Sequence, residues 1–241
     1  MCSDTEMSNE YMKYHERKIH HYIIPGTAGK CTVGFTYSRS PELMKMIQDN
    51  FSAAVNQPSY EPTLDSIRRT LENLLAEKSD VIRDNLQGLD MLCGVTLESG
   101  PVALYKTEGT NLRPVPHFDF LGVGDCSLLR YLFPVLMGDE ELIGEEFTVS
   151  IAEKLGAYMI AKAKDHIVGC GGKTNMITLK PDGCVHLGDV IAWAYEDELG
   201  ILEHTFTKLI KATLNSKVSG EQLDTKAADF FYQLKKFRQI V

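Results

Sequence analysis

One stretch of the sequence decides the fold: Asp165-His166-Ile167-Val168-Gly169-Cys170-Gly171-Gly172. Upstream of it, apolar residues recur at the spacing of one helix face, namely Ile151, Leu155, Tyr158 and Met159. Downstream, Met176–Lys180 and Cys184–Leu187 flank the turn Pro181-Asp182-Gly183 and predict a hairpin. The stretch is therefore predicted to connect a long helix to a strand.

The rest of the sequence alternates helical and strand patterns. Polar residues stand where helix N-caps are expected, each before an amphipathic run: Ser40, Thr63, Asp125 and Ser150, the last with Glu153 as its capping-box partner. Strand patterns occupy Met91–Leu97, Val102–Lys106 and Pro114–Val123, and a mostly helical tail is predicted from about Leu202 to the end. Taken alone, these patterns predict an α+β fold.

The composition excludes several classes of protein. Hydrophobic residues make up 44% of the 241 residues and charged residues 24%, as in globular proteins, and no apolar run is long enough to cross a bilayer. The net charge is -8 and the basic residues are scattered, so nucleic acid is not an expected partner. The 6 cysteines form no CxxC pair, which argues against a zinc site and favours a reducing, cytoplasmic compartment. We expect no metal, no cofactor and no membrane association.

Three motifs, taken in order, resemble those of a known family. They are Cys2-Ser3-Asp4-Thr5-Glu6 leading to Lys18, then Gly122-Val123-Gly124-Asp125-Cys126-Ser127, then the stretch from Asp165 to Gly172. The family is that of the proteasome-type N-terminal-nucleophile hydrolases, which includes the 20S proteasome subunits. The first motif resembles its small-small-Asp segment before a catalytic lysine, and the second resembles its Gly-x-Gly-Ser turn. The third resembles its Asp-x-x-Ser-Gly-Gly segment. The resemblance covers about residues 2–188.

The resemblance implies an architecture and an assembly. The fold would be a four-layer αββα sandwich in a single domain over residues 1–241, with a core of about 2–188 and a helical C-terminal extension at 189–241. The family builds closed rings, so a homo-oligomer is expected. Its members act on peptides or small amides, which makes these the expected substrates.

The resemblance also implies a mechanism. In this family an N-terminal Thr, Ser or Cys attacks an amide carbonyl, activated by its own amine and by a lysine. The matching positions imply that Asp4 holds Lys18, that Lys18 lowers the proton affinity of the nucleophile, and that Asp165 orients the terminal amine. A backbone N–H near Ser38 would face the developing oxyanion.

Two of the matching positions depart from the family pattern. Asp125 and Cys170 both stand where the family commonly has serine, so the network around the terminal amine is altered, because an ionised aspartate accepts hydrogen bonds but cannot donate one. The candidate catalytic residues are Lys18, Asp4, Asp165, Ser38, Asp125 and Cys170.

The position of the nucleophile has two interpretations. In the family, a strand and a hairpin separate the nucleophile from the residue that matches Asp4. One interpretation is that Met1 is an internal methionine and the true chain begins about 15 residues earlier, roughly a strand, a turn and half a strand. The other is that Met1 is removed and Cys2 becomes the nucleophile, although Cys2 then stands where the family has a small residue inside the sheet.

Ordinary structural roles stay open for the same residues. By composition alone Lys18 would be a solvated lysine, and Asp4 and Asp165 would cap a helix or a turn. Cys126 and Cys170 would be small buried fillers of a core.

Three functions follow from these observations: a peptidase, a catalytically silent ring or scaffold subunit, and an amidase that acts on a small amide. The retention of Asp4, Lys18 and Asp165 favours an enzyme over a scaffold, because a silent subunit has no chemical need for all three.

Overall fold

The computed structural model describes residues 1–4, 6–8, 13–80, 89–98, 100–122, 129–132, 134, 148–187 and 189–239. Its strands are β1 (Cys2–Asp4), β2 (Glu6–Ser8), β3 (Lys13–His15), β4 (Ile19–Gly26), β5 (Gly29–Arg39), β6 (Leu89–Leu97), β7 (Val102–Glu108), β8 (Asn111–Pro114), β9 (Thr174–Lys180) and β10 (Gly183–Leu187). Its helices are α1 (Pro41–Val55), α2 (Leu64–Glu77), α3 (Val149–His166), α4 (Asp189–Leu214) and α5 (Gly220–Arg238).

The strands of these described ranges form three sheets. A three-stranded sheet has the order β1-β9-β10, a two-stranded sheet pairs β2 with β3, and a five-stranded sheet has the order β4-β5-β6-β7-β8. Every pairing is antiparallel. The predicted α+β class is therefore confirmed.

One face of the five-stranded sheet packs against α1 and α2. Alternate residues of β5, including Val33 and Phe35, are fully buried in this contact, as the two-residue pleat of a strand requires. The ring of Phe35 meets that of Phe51 in α1 edge to face, with 5.2 Å between centroids. The apolar stripe of α2 closes the same core with Ile67, Leu71, Leu74 and Leu75.

The other face of this sheet packs against the three-stranded sheet. Gly34 of β5 and Gly94 of β6 lie opposite each other in register, and a Cβ on Gly94 would lie 3.0 Å from Cδ1 of Leu179 in β9. The hydroxyl of Thr96 donates to the carbonyl of Lys180 over 3.3 Å. The glycines leave the space that Leu179 fills, so the two sheets approach closely at this point.

Two helices cover the far face of the three-stranded sheet. Ala157 of α3, Met176 of β9 and Tyr195 of α4 form a buried cluster, and Cys2 of β1 packs against it. The helix α5 packs along α4, where the rings of Phe206 and Phe230 are 5.5 Å apart. Within the described parts of the chain, no helix is both long enough and apolar enough to span a membrane.

Several local predictions are confirmed. Thr63 caps α2 in a capping box with Ser66, and the predicted hairpins correspond to β6–β7 and β9–β10. Ser40 does precede α1, but its side chain makes no capping hydrogen bond there. Asp125 and most of the helix it was expected to begin lie outside the described residues.

Three boundaries predicted from the sequence are wrong. The helix α3 begins at Val149 and not after Ser150, because the Thr148 hydroxyl accepts from the Ile151 N–H and caps the helix; the Glu153 carboxylate accepts a hydrogen bond from Thr178 in β9. A strand is predicted over Pro114–Val123, but β8 covers Asn111–Pro114 and residues 115–122 are not in a strand. The tail is helical from Asp189 rather than from about Leu202, because its first turns pack against the three-stranded sheet.

We expect Gly94→Val to destabilise the fold, because the new side chain would overlap Leu179 and push the two sheets apart. The expected loss is about 1–3 kcal/mol of unfolding free energy, the usual cost of overpacking a core. Urea denaturation followed by circular dichroism measures it. Gly200→Ala is the control: position 200 is helical and open, so alanine should raise the stability by about 0.5–1 kcal/mol. Equal midpoints for Gly94→Val and the wild type would contradict this packing.

Candidate functional site

An ion pair joins the two facing sheets at one end. Asp4 is the last residue of β1, and Lys18 immediately precedes β4. Lys18 Nζ donates to Asp4 Oδ1 over 2.6 Å, and the two side chains are only 11% and 12% exposed. A nearly buried ammonium is stable when a carboxylate holds it, so this pair is positioned by both sheets and in turn joins them.

The second oxygen of Asp4 is bound by the stretch that follows α3. The backbone N–H of Gly171 donates to Asp4 Oδ2 over 2.8 Å. The turn that presents this N–H has φ values of 95° at Gly169 and 70° at Gly172, which side-chain-bearing residues rarely adopt. The glycines of the motif therefore serve to aim a backbone donor at Asp4.

A cavity of about 120 Å³ lies beside this ion pair. Its lining includes Asp4, Lys18, Ser38, Asp119, Cys2, Ser3 and Cys170. Ser38 stands near the end of β5, and Gly122 approaches it so closely that a Cβ there would lie 2.1 Å from Ser38 Oγ. The cavity has the size of a few heavy atoms and contains both hydroxyl and thiol side chains.

Cys2 lines this cavity, and its thiol is neutral. It packs beside Ala157, Met176 and Tyr195, and burial is the main cause that raises the pKa of its thiol to about 12. The N-terminal ammonium and Lys164 lower that pKa, but their effect does not offset burial. The nucleophilic form of cysteine is the thiolate, so this environment opposes catalysis by Cys2.

The other predicted residues differ in whether they line the cavity. Cys170 lines the cavity and packs against the buried cluster of Leu129, Met159 and Ala163, a position that suits a core filler. The Asp165 side chain is 60% exposed and pairs with Lys162 over 3.3 Å, so the structure does not bring it to the cavity. Asp125 lies outside the described residues.

A second set of polar residues, not predicted from the sequence, lies behind the ion pair. Lys164 Nζ donates to Thr174 Oγ1 over 2.6 Å and to Glu196 Oε1 over 2.7 Å, and the Thr174 hydroxyl also donates to Glu196. Thr174 is fully buried and lies opposite Asp4 in the β1–β9 ladder. These contacts fix α3 and α4 to the strand that supports Asp4. Only packing brings these three residues together, so no sequence pattern could have indicated them.

The arrangement can perform one kind of chemistry. A lysine cation fixed at the wall of a small cavity lowers the proton affinity of a neighbouring hydroxyl, thiol or amine, and stabilises negative charge that develops there. Among the residues that the structure describes, no three His, Cys, Asp or Glu side chains cluster as metal ligands would. The catalytic roles of Lys18, Asp4, Ser38 and Cys170 stay predictions.

Comparison with solved structures identifies the fold. The Anbu complex of Pseudomonas aeruginosa, in a structure of its helical assembly, aligns with a TM-score of 0.59 at 12% sequence identity, covering 86% of this chain and 90% of that one. Anbu (ancestral beta-subunit) from Yersinia bercovieri aligns with a TM-score of 0.60 at 12% identity, covering 89% and 92%. Anbu from Hyphomicrobium sp. strain MC1 gives 0.59 at 11% identity, covering 86% and 91%. No family model matches this chain, and no curated protein sequence does either.

These findings correct the family suggested by the three sequence motifs. The similar structures are Anbu proteins, which are proteasome-like but form a family distinct from the 20S proteasome subunits. The motifs around Asp4, Lys18 and Asp165 suggested the wrong family because loose patterns of small and acidic residues are shared by proteins of one fold and do not distinguish the families within it. At 11–12% identity the likeness shows the fold alone: this chain folds like an Anbu subunit.

Proposed function

We propose that this chain is a subunit of a proteasome-like peptidase in which Asp4 and Lys18 activate the nucleophile. The observation that carries the proposal is the ion pair of 2.6 Å between these residues, nearly withdrawn from water beside a cavity. The nucleophile in this proposal is the N-terminal Thr, Ser or Cys that the family resemblance implies. Lys18 would hold its charge beside that nucleophile, and Asp4 would keep the ammonium in place.

The proposal includes a four-layer αββα sandwich. Its support is the order of contacts: α1 and α2 pack on the five-stranded sheet, that sheet packs on the three-stranded sheet, and α3 and α4 pack on the far face of the latter. The similarity of this chain to Anbu subunits, with TM-scores of 0.59–0.61, supports the same arrangement. In such a sandwich the open end between the sheets would admit an extended peptide to Lys18.

A catalytically silent subunit is the second candidate function. The observation that favours it is the outward position of Asp165, which pairs with Lys162 instead of lining the cavity. Without an inward carboxylate, a terminal amine in the cavity would lack the partner that the mechanism assigns to it. The two candidates differ in whether purified protein hydrolyses amides.

We also propose that the chain forms a homo-oligomer. The helices α4 and α5 leave large apolar side chains exposed, namely Trp193, Phe206, Leu214, Phe231 and Tyr232, and such surfaces are commonly covered by a partner. The Pseudomonas aeruginosa protein of the same fold forms a helical assembly. The proposed partner is a second copy of this chain.

We expect Lys18→Ala to abolish amide hydrolysis, because the cation that activates the nucleophile is lost. Lys18→Arg should also fail, because the larger, planar guanidinium cannot take the place of the ammonium that donates to Asp4 Oδ1 over 2.6 Å in this nearly buried site. Asp165→Asn should have little effect on turnover, because the Asp165 side chain is exposed, pairs with Lys162 and does not line the cavity. Turnover is measured on fluorogenic peptides and small amides.

Folding of each variant is checked by circular dichroism, and Lys217→Ala, at an exposed lysine in the α4–α5 turn, is the matched control. Unchanged turnover in Lys18→Ala would refute the mechanism, and rescue by arginine would reduce the role of Lys18 to electrostatics. An absence of hydrolysis by the wild type across the whole panel would favour the silent subunit. Cleavage of small amides alone would identify an amidase.

We expect Cys2 to resist alkylation in the folded protein. With a thiol pKa of about 12, only about one molecule in ten thousand carries the reactive thiolate at about pH 8. Peptide mass spectrometry after brief exposure to N-ethylmaleimide, with and without denaturing urea, measures the protection. The buried Cys31 is the control, since its pKa is raised by burial to about 11. Rapid labelling of Cys2 alone in the native protein would support Cys2 as the nucleophile.

We expect light scattering at micromolar protein to give a multiple of the 27.0 kDa chain mass. Phe231→Glu should shift the mass towards the monomer, because a carboxylate in an apolar contact must be desolvated. Ser216→Glu adds the same charge at an exposed turn position and should leave the mass unchanged. A monomeric wild type would rule the assembly out.

A further inference from the structure

The hydroxyl of Ser3, in the middle of β1, is buried and makes no hydrogen bond with any described residue. Ser3 is only 8% exposed, so bulk solvent does not supply a partner for its Oγ. A buried hydroxyl without a hydrogen bond costs free energy, and native proteins leave few such groups. The Ser3 hydroxyl therefore calls for a partner from outside the described chain.

The pleat of β1 turns Ser3 towards the five-stranded sheet. Its neighbour Cys2 packs on the opposite side, against the buried cluster under α3 and α4, and successive side chains of a strand alternate between faces. On β5, Phe35 faces α1, so Thr36 faces back towards β1 by the same rule. Ser3 and Thr36 both line the cavity beside Lys18. The cavity therefore receives hydroxyl groups from both sheets.

The cavity has the space and the polar groups that a buried water requires. Its volume of about 120 Å³ is several times the roughly 30 Å³ that one molecule occupies in liquid water. A buried water also needs about two to four polar partners. The lining offers the hydroxyls of Ser3, Thr36 and Ser38 and the pair of Asp4 and Lys18. Water therefore fits this part of the cavity in size and in chemistry.

We propose that Ser3 Oγ binds a water molecule in this cavity and that the same water is the one consumed in amide hydrolysis. The second part rests on the proposed peptidase function, whereas the binding of water to Ser3 does not. Ser3 and Lys18 line one small cavity, so a water held by Ser3 stays near the cation that would lower its proton affinity. Holding the water in advance also removes part of the entropy cost of bringing it to the reacting bond.

The hydrolysis uses this water in its second half. The N-terminal nucleophile first takes the acyl group of the substrate and releases the amine, which gives an ester or a thioester. The oxygen of the water then forms a bond to the acyl carbon, and the bond between that carbon and the nucleophile breaks. One proton of the water passes to the nucleophile, and the other stays on the hydroxyl of the acid product. No further reactant is needed for this balance.

A crystal structure of the wild-type protein tests the binding of water directly. Density for an ordered water is expected at hydrogen-bonding distance from Ser3 Oγ, about 2.5–3.0 Å. The same density should be lost in Ser3→Ala. Well-ordered wild-type crystals without a water at Ser3, or with the hydroxyl bound to a protein group instead, overturn the proposal.

Denaturation in urea tests the same site in solution. Ser3→Ala should lower the midpoint, because the hydrogen bond to the water is lost. Thr32→Val is the matched control: the Thr32 hydroxyl is also buried and unpartnered among the described residues, but Thr32 does not line the cavity. Valine should therefore leave the midpoint unchanged or raise it, since a desolvated hydroxyl is removed. Equal shifts of the midpoint in the two variants overturn the proposal.

Competition between water and hydroxylamine tests the role of the water in hydrolysis. The acyl group passes to water as an acid or to added hydroxylamine as a hydroxamate, and mass spectrometry measures the ratio. Ser3→Ala should raise the ratio of hydroxamate to acid by about threefold to tenfold, the effect of losing one hydrogen bond. Thr32→Val should leave this ratio unchanged, and an unchanged ratio in Ser3→Ala overturns the second part of the proposal.

The two parts of the proposal fail separately. A water at Ser3 in a protein that hydrolyses no amide supports the binding site, while the peptidase function and the role of the water in it are refuted. Hydrolysis by a protein with no water at Ser3 supports the peptidase function and overturns the binding site.

Discussion

The site depends on the hydrogen bonds that the Asp4 carboxylate accepts. Asp4 is the last residue of β1 in the three-stranded sheet. Its carboxylate accepts hydrogen bonds from the Lys18 ammonium, next to the start of the five-stranded sheet, and from the Gly171 N–H in the turn after α3. A shift of β1 by one residue would turn Asp4 to the opposite face. Both donors would then lose a nearly buried acceptor, which is costly for an N–H and more costly for an ammonium. The register of a three-residue strand is thus specified by charge as well as by backbone pairing.

The structure behind Asp4 keeps this interaction rigid. Thr174 lies opposite Asp4 in the ladder and is bound by Lys164 and Glu196 from two helices. Between the sheets, Leu179 of β9 fills the space left by Gly34 of β5 and Gly94 of β6, so packing sets the distance between these strands. A functional group held by such supporting contacts loses little further freedom when a ligand arrives.

The charges around the cavity have different environments. Lys18 and Asp4 are withdrawn from water and neutralise each other, so they act on a group only at short range. Arg113 and Arg130, which pair with Asp119 at the cavity wall, are half exposed instead. Burial raises the pKa of the Cys2 thiol to about 12, and Cys2 packs against the cluster of Ala157, Met176 and Tyr195.

The sequence by itself determined the α+β class, the amphipathic helices α1 and α2, and the hairpins β6–β7 and β9–β10. Each of these is encoded by a local period of two or about 3.6 residues and by turn residues. The motif resemblance also singled out Asp4 and Lys18, although it named a different proteasome-like family. Only the tertiary structure decided the outward position of Asp165, the start of α4 and the ion pairs of Asp119 with Lys106, Arg113 and Arg130. These features depend on contacts between side chains that are far apart in the sequence. Local sequence patterns describe only neighbouring residues, so they do not predict such contacts.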